Sequence, residues 1–299
     1  MSRRPRRNRP PRLDEPPPRP EPASDDEPSA AKPASPRRRL VTGHVAGPHP
    51  DLGRAEMESI VARLVAGAPD ATLGLDLGRV SRDEAYGAID AIWGWDGESA
   101  RVAIDPARTL EAATLAAGLL AAAAVPGARI ALATGRPAAL LPLFRALAGA
   151  ATAAGAEVLR GEQQAVEGAA EQVLWWHDGV AVVSDGLSVL ADDGLLAGPE
   201  WLFAVGRPKL AIADHGFAGA AIAEGHHTIA LADLDCLAIG VAARRGLPVC
   251  VVPLHDGRSP SAYDVVLEAL VPLSASTHEP HSTTPAPDAY APTRSGGEG

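Results

Sequence analysis

The stretch LAIADHGFAGAAIAEGHHTIALADLD, residues 210–235, decides the fold. It opens on four uncharged residues, 210–213, with no polar alternation, as expected of a strand buried on both faces. Asp214-His215-Gly216 follows, and 217–224 then reads as a helix. A second uncharged run, 228–231, is again a strand and is followed by Asp233 and Asp235. Strand, helix, strand in this order is the pattern of a parallel crossover.

The alternation continues in both directions. Downstream, 234–245 reads as a helix, 248–252 as the last strand and 263–270 as the last helix. Upstream, 129–134 is a buried strand that leads into a helix over 137–154, and Asp105-Pro106 opens a helix running to 124. Residues 71–75 read as the first strand, and Ser81 with Glu84 forms a capping box for the helix after it. A short strand is expected at 157–160, and 172–176 and 180–184 flank a tight turn at His177-Asp178-Gly179. The expectation is one α/β domain over 40–272: a single doubly wound, mostly parallel, Rossmann-like sheet with helices on both faces.

The flanks have another composition. Residues 1–39 interleave Arg, Pro and acids, and 273–299 are rich in Ser, Thr, Pro and Gly. Neither can bury enough apolar surface to offset the entropy of ordering, so both are expected to be disordered tails. The chain has 299 residues and a net charge of −10. Because the first 39 residues are net basic, the middle is more acidic still, which argues against nucleic acid as a partner of the domain. It remains compatible with an anionic ligand if positive groups are focused in one cleft. No apolar stretch is long enough to span a membrane, and no signal peptide is recognisable. Two cysteines, Cys236 and Cys250, in apolar surroundings read as buried thiols of a reducing compartment. A cytoplasmic location is expected.

In open α/β sheets the ligand sits at the carboxyl ends of the strands. After 129–134 comes Thr134-Gly135-Arg136-Pro137 at a helix start, where backbone amides and the Arg fork suit a phosphate or carboxylate. Thr134, Gly135, Arg136 and Gly216 are therefore the candidate phosphate binders. Asp214 and His215 are the candidate catalytic pair, a carboxylate able to ligate a hard cation beside an imidazole able to move a proton. Asp233 and Asp235 are either further metal ligands or helix caps. Asp76 repeats the pattern after the first expected strand, His255 lies beside a turn at the end of the last, and His44 has no packing explanation. There is no Gly-x-Ser-x-Gly elbow and no Cys/His spacing for zinc, which disfavours a serine or cysteine hydrolase.

Ala213-Asp214-His215-Gly216-Phe217-Ala218-Gly219, followed by 228–233 and by Val252-Pro253-Leu254 before 259–263, resembles a family of bacterial, mainly actinobacterial, phosphatases. Shorter pieces agree in order: His44–Gly47, Leu73–Gly78, Ile104-Asp105-Pro106 and Ala133-Thr134-Gly135. The resemblance covers about residues 40–270 and implies phosphatase activity. The chain departs from the family pattern in three places. Arg136 stands where a His is usual, His44 where an Arg is usual, and Ser184-Asp185-Gly186 where a pair of histidines is usual. The first two look like an exchange that would keep one Arg and one imidazole in a shared pocket.

Two functions of different kinds follow. One is a phosphomonoesterase acting on a small phosphorylated metabolite. In it Asp214 with Asp233 or Asp235 would hold Mg²⁺ or Mn²⁺, Arg136 would clamp the phosphate, and His215 would serve as acid or base. The other is a degenerate relative that binds a phospho-metabolite or nucleotide without cutting it. Another metabolic enzyme on the same frame is a third reading, since fold does not fix function.

Overall fold

The computed structural model describes residues 34–271 except Ala170. Among the described residues there are ten short strands and ten α-helices. In chain order they are α1 (Pro36–Thr42), β1 (Gly47–Pro48), α2 (Arg54–Val65), α3 (Pro69–Thr72), α4 (Arg82–Trp93), β2 (Ala103–Ile104), α5 (Pro106–Ala123), β3 (Arg129–Ala133), α6 (Pro137–Ala153), β4 (Glu157–Val158), β5 (Gln164–Ala165), β6 (Val173–His177), β7 (Val180–Ser184), α7 (Ala197–Val205), β8 (Leu210–Ala213), α8 (His215–Ala223), β9 (Thr228–Ala232), α9 (Leu237–Arg244), β10 (Val249–Pro253) and α10 (Asp264–Leu270). Single 3-10 turns precede α9 and α10.

The sheet runs β10-β9-β8-β3-β7-β6-β5, with β4 beside the start of β3. From β10 to β7 every pairing is parallel, and only β7-β6 and β6-β5 are antiparallel. The sheet is therefore mixed and mostly parallel. Every residue of β8 and β9 is buried, as their uncharged sequences require. From β3 the chain first moves to β4 and the β5–β7 side. It then returns past β3 to β8 and proceeds to β9 and β10. Helix α6 packs on β3, β4 and β7, α8 on β8 and β9, and α9 on β10. The direction reverses between β3 and β8, and the mouths of these two strands carry Thr134–Arg136 and Asp214–His215.

Packing is by small residues, with a few large anchors. Trp93 of α4 is fully buried, donates from Nε1 to Ala232 O at 3.2 Å and lies where a Cβ on Gly240 of α9 would stand. Trp201 of α7 meets Phe217 of α8 edge-on at 5.7 Å. Truncating a buried Trp of this kind costs about 3–5 kcal/mol.

Several expectations change. Residues 71–75 are not a strand: α3 ends at Thr72, and Leu73 and Gly74 turn left-handed (φ 52° and 78°). Leu73, Leu75 and Leu77 are buried, while Gly74, Asp76 and Gly78 are exposed. The period-two burial is real, but no strand lies alongside to complete a ladder. The segment lies instead on α8, where Leu73 O is so close that a Cβ on Gly219 would stand 1.9 Å from it. Regular structure is also present before residue 40. Ser35 caps α1, Pro36 occupies its first position, and the Arg39 fork holds Glu268. The rest of the expected tails, 1–33 and 273–299, falls outside the described residues. Helix α7 falls in a stretch for which the sequence analysis names no element; Pro199 stands in its first turn, where Pro is tolerated. The 177–179 turn is as read: Asp178 and Gly179 both have positive φ and close the β6–β7 hairpin. Among the described residues no helix is long and apolar enough to cross a membrane, and Cys236 and Cys250 are both free.

Candidate active site

The mouths of β3, β8, β9 and β10 converge on a crowd of carboxylates and imidazoles. Its floor is Asp214, which is wholly buried. One carboxylate oxygen accepts the Thr134 hydroxyl and the other the Gly135 amide, at 2.6 Å. Gly216 N donates to Asp193 O at 2.7 Å. Of the expected phosphate cradle, Thr134, Gly135 and Gly216 thus spend their donors on the protein's own acceptors. The reason is that Asp214 reaches across to β3 instead of capping α8. Only Arg136 faces outward among the four. Its Nη1 donates to Asp192 O at 3.0 Å, its Nε lies 3.6 Å from Asp256, and its Nη2 makes no hydrogen bond among the described residues.

His215 is the centre of the crowd. It sits at φ 43°, in the left-handed region, and its side chain is almost fully buried. A non-glycine residue there costs of order 1–3 kcal/mol and persists only when its surroundings force it. Its Nδ1 lies 3.7 Å from Asp214, and its Nε2 lies 3.2 Å from Asp256 Oδ2 and 3.6 Å from Asp235 Oδ2. None of these contacts is a well-formed hydrogen bond. Both ring nitrogens and Asp256 Oδ2 are buried without a partner among the described residues. Burial alone would lower the His215 pKa, but the Cys236 sulfur and the carboxylates of Asp214 and Asp235 hold it well above the ordinary value. Burial pushes Asp256 up to about 7, with His215 pulling the other way. Asp235 also feels burial, yet His215 beside it brings its pKa below the usual range. Burial drives the Cys236 thiol up to about 12, with His215 pulling the other way.

A second group lies beside the first. Asp233 caps its own turn through Leu234 N at 2.7 Å and faces Asp256 N at 3.3 Å. His255 Nδ1 and His49 Nε2 each stand 3.3 Å from its Oδ1. Against the cost of burial, the two histidines hold Asp233 far below an ordinary carboxyl. His255 is fixed at both backbone ends: its N donates to Val45 O, and its O accepts Tyr263 OH at 2.7 Å. His49 Nδ1 accepts the amides of Asp51 and Leu52 at 3.1 and 2.9 Å. That ring nitrogen carries a lone pair, so Nε2 carries the proton and points it at Asp233. That proton closes no hydrogen bond with Asp233 among the described residues, and His255 Nε2 is likewise buried without a partner.

The structure thus gathers Arg136, Asp214, His215, Asp233, Asp235 and His255 on one rim, but it divides the three expected metal ligands. Among the described residues, two groups have potential ligand atoms within 4.8 Å of one another: His49, Asp233 and His255, and His215, Asp235 and Cys236. Asp214, Asp233 and Asp235 do not form such a group together. His44 is exposed and makes no side-chain hydrogen bond or ion pair among the described residues, so the exchange with Arg136 finds no direct contact. Asp76 is exposed and accepts Gly78 N in a local turn. Two residues of the rim were missed. Asp256 reads in sequence as a turn residue before Gly257. His49 lies between two prolines, and only the pairing of β1 with β2, with His49 N bonded to Val102 O at 2.8 Å, brings it in.

The loop over 192–195 closes the rim from above. Asp192 N donates to Gly135 O at 2.9 Å. A Cβ on Gly135 would stand 2.1 Å from Asp192 O, and one on Gly216 would stand 2.5–2.7 Å from the Asp193–Leu195 backbone. The groove of about 890 Å³ along α7 and α8 lies apart from this chemistry and shares Gly216 and Leu195 of the covering loop with it.

A family model described as "Phosphatase" matches residues 33–275. The phosphatase SCO2771 of Streptomyces coelicolor is 35% identical over 169 residues, which span 54% of this chain and 63% of that protein. No solved structure matches. With the model spanning all of the described fold and this rim with it, the chain belongs to that phosphatase family.

Proposed function

We propose that the chain is a phosphomonoesterase for a small phosphorylated metabolite, with its site on the rim of β3, β8, β9 and β10. The observation that carries this is the set of buried yet unpartnered polar atoms, both His215 nitrogens and Asp256 Oδ2, next to the free edge of the Arg136 fork. Buried polar atoms are left unbonded rarely, and a catalytic role or a bound water or ion is among the reasons when they are. The reversal of strand direction between β3 and β8 supports the same place, as in doubly wound sheets. Family membership supports the reaction class.

In this reading Arg136 takes two phosphoryl oxygens through Nη2 and the adjoining guanidinium edge. His215, Asp235 and Asp256 prepare the attacking water. Asp214 is a positioning residue: held by Thr134 and Gly135, it fixes the strained start of α8 and so the His215 ring. The Asp233 group holds the β10 end, including Asp256, in place.

The test is phosphate release from a panel of phosphate esters by the full chain, with divalent cations added and after chelation. Release that falls at least 100-fold in Arg136→Ala, with the fold retained, supports the reading. No release from any ester, with a phosphorylated ligand still raising the melting temperature, would turn it into a binding protein.

A further inference from the structure

We infer that the His215 imidazole, the Asp235 carboxylate and the Cys236 sulfur form a binding site for one thiophilic divalent cation such as Zn²⁺, a set that shares only Asp235 with the three aspartates expected from sequence. The inference deepens the phosphatase reading and rests on it for the use of the metal.

Strands β8 and β9 are parallel neighbours, so their mouths lie side by side. His215 opens α8 after the first, and Asp235 and Cys236 lie on the 3-10 turn after the second. Potential ligand atoms of all three fall within 4.8 Å of one another. His215 Nε2 is 3.6 Å from Asp235 Oδ2, and Cys236 Sγ is 3.5 Å from Asp235 Oδ1. An ion ~2.1 Å from nitrogen and oxygen and ~2.3 Å from sulfur, at tetrahedral angles, sets N and O about 3.4 Å apart and S and O about 3.6 Å apart, so both pairs match within ~0.2 Å. As a hydrogen bond, the 3.6 Å contact is too long. Independently, His215 is almost fully buried and neither ring nitrogen has a hydrogen-bond partner among the described residues. Asp235, whose side chain is 43% exposed, leaves a path to solvent for ion and substrate.

The donor chemistry selects the ion. Three protein ligands with one position open is the arrangement of catalytic zinc. Thiolate and imidazole suit Zn²⁺, Fe²⁺ or Co²⁺, whereas Mg²⁺ favours oxygen and retains its water. On binding, His215 and Cys236 each release a proton to solvent and give a lone pair to the ion; a coordinated thiol ionises even where burial opposes it. Asp256 Oδ2, 3.2 Å from His215 Nε2 and without a partner among the described residues, is placed to take a proton from a coordinated water. The group of His49, Asp233 and His255 is the poorer candidate, because His49 Nδ1 accepts two backbone amides and its Nε2 therefore bears a proton.

The full chain, stripped of metal and kept under nitrogen, is titrated with Co²⁺ and followed by absorption. The expected result is about one Co²⁺ per chain, with a near-ultraviolet thiolate-to-cobalt charge-transfer band that Zn²⁺ bleaches by displacement and Mg²⁺ does not. Cys236→Ser should abolish the band, and Cys250→Ser should keep it. Asp235→Asn, which keeps its fold because the side chain is partly exposed, should bind at least tenfold more weakly. Absence of the band, its loss in Cys250→Ser but not in Cys236→Ser, equal binding by Asp235→Asn, or loss of the ion in His49→Asn but not in Asp235→Asn overturns the site. Phosphate release from a chain shown to be metal-free overturns the inferred use of the metal and spares the phosphatase reading. The band with tight binding, but no release from any ester, supports the site and overturns the phosphatase reading.

Discussion

Two aspartates on one rim, Asp233 and Asp256, come to opposite ends of the carboxyl range. Asp233 is surrounded by donors: Leu234 N, Asp256 N, His255 and a His49 whose tautomer is fixed from behind. Its charge is held far down the pH scale. Asp256 is buried to a similar degree but faces other carboxylates, leaves one oxygen unbonded and is pushed up to about 7. Burial is common to both, and the supply of donors decides between them. Asp233 itself has its donors, although His49 Nε2 and His255 Nε2 beside it are buried without a hydrogen bond; Asp256 Oδ2 has no partner among the described residues.

The comparison can be broken at either aspartate. The largest effect is expected for Asp233→Asn, which should lose about 2–4 kcal/mol at pH 7, because the histidines and amides around it lose the charge they hold. The folded pKa lies below the unfolded value. The stabilisation is therefore complete above the ordinary carboxyl range and disappears as pH falls through the folded pKa. Denaturant titrations at pH 7 and in acid should show the gap between wild type and variant closing at low pH. A gap that stays constant would mean that the cost is packing and not charge.

Asp256→Asn should act in the other direction and by less. A carboxyl raised to about 7 costs the fold increasingly as pH climbs from about 4 through 7. The variant should be more stable than wild type by about 1–2 kcal/mol at pH 8 and no more stable at pH 4, read by the same titrations, while phosphate release falls. Destabilisation at pH 8 would mean that Arg136 and His215 already neutralise this carboxylate. The smallest effect belongs to His44→Ala. With an exposed, uncontacted side chain, it should change stability by no more than about 0.5 kcal/mol and turnover by less than about twofold. A large loss of turnover would restore the proposed exchange with Arg136.

The half of the molecule from β8 to β10 was legible because each strand is an uncharged run separated from the next by a helix. The β6–β7 hairpin was legible because Asp178-Gly179 has only one common use. The segment from 71 to 78 misled because alternation reports burial and not hydrogen-bonded partners. At the site, the strand-end rule found Arg136, Asp214, His215, Asp233, Asp235 and His255 without a contact map. It could not say that Asp214 is turned inward onto β3, since this depends on strand order. Nor could it find His49, which joins the rim through a two-residue pairing whose partner strand is more than 50 positions away in sequence.

The loop over 192–195 has a consequence for how such a site can change through descent. It rests on the bare backbone of Gly135 and Gly216, so any side chain at either codon forces the loop away before the chemistry beneath is altered. Those two positions are closed to gradual change. New ligand preferences must be acquired at the outer edge, at side chains such as Arg136 and Asp235 that the loop does not rest on.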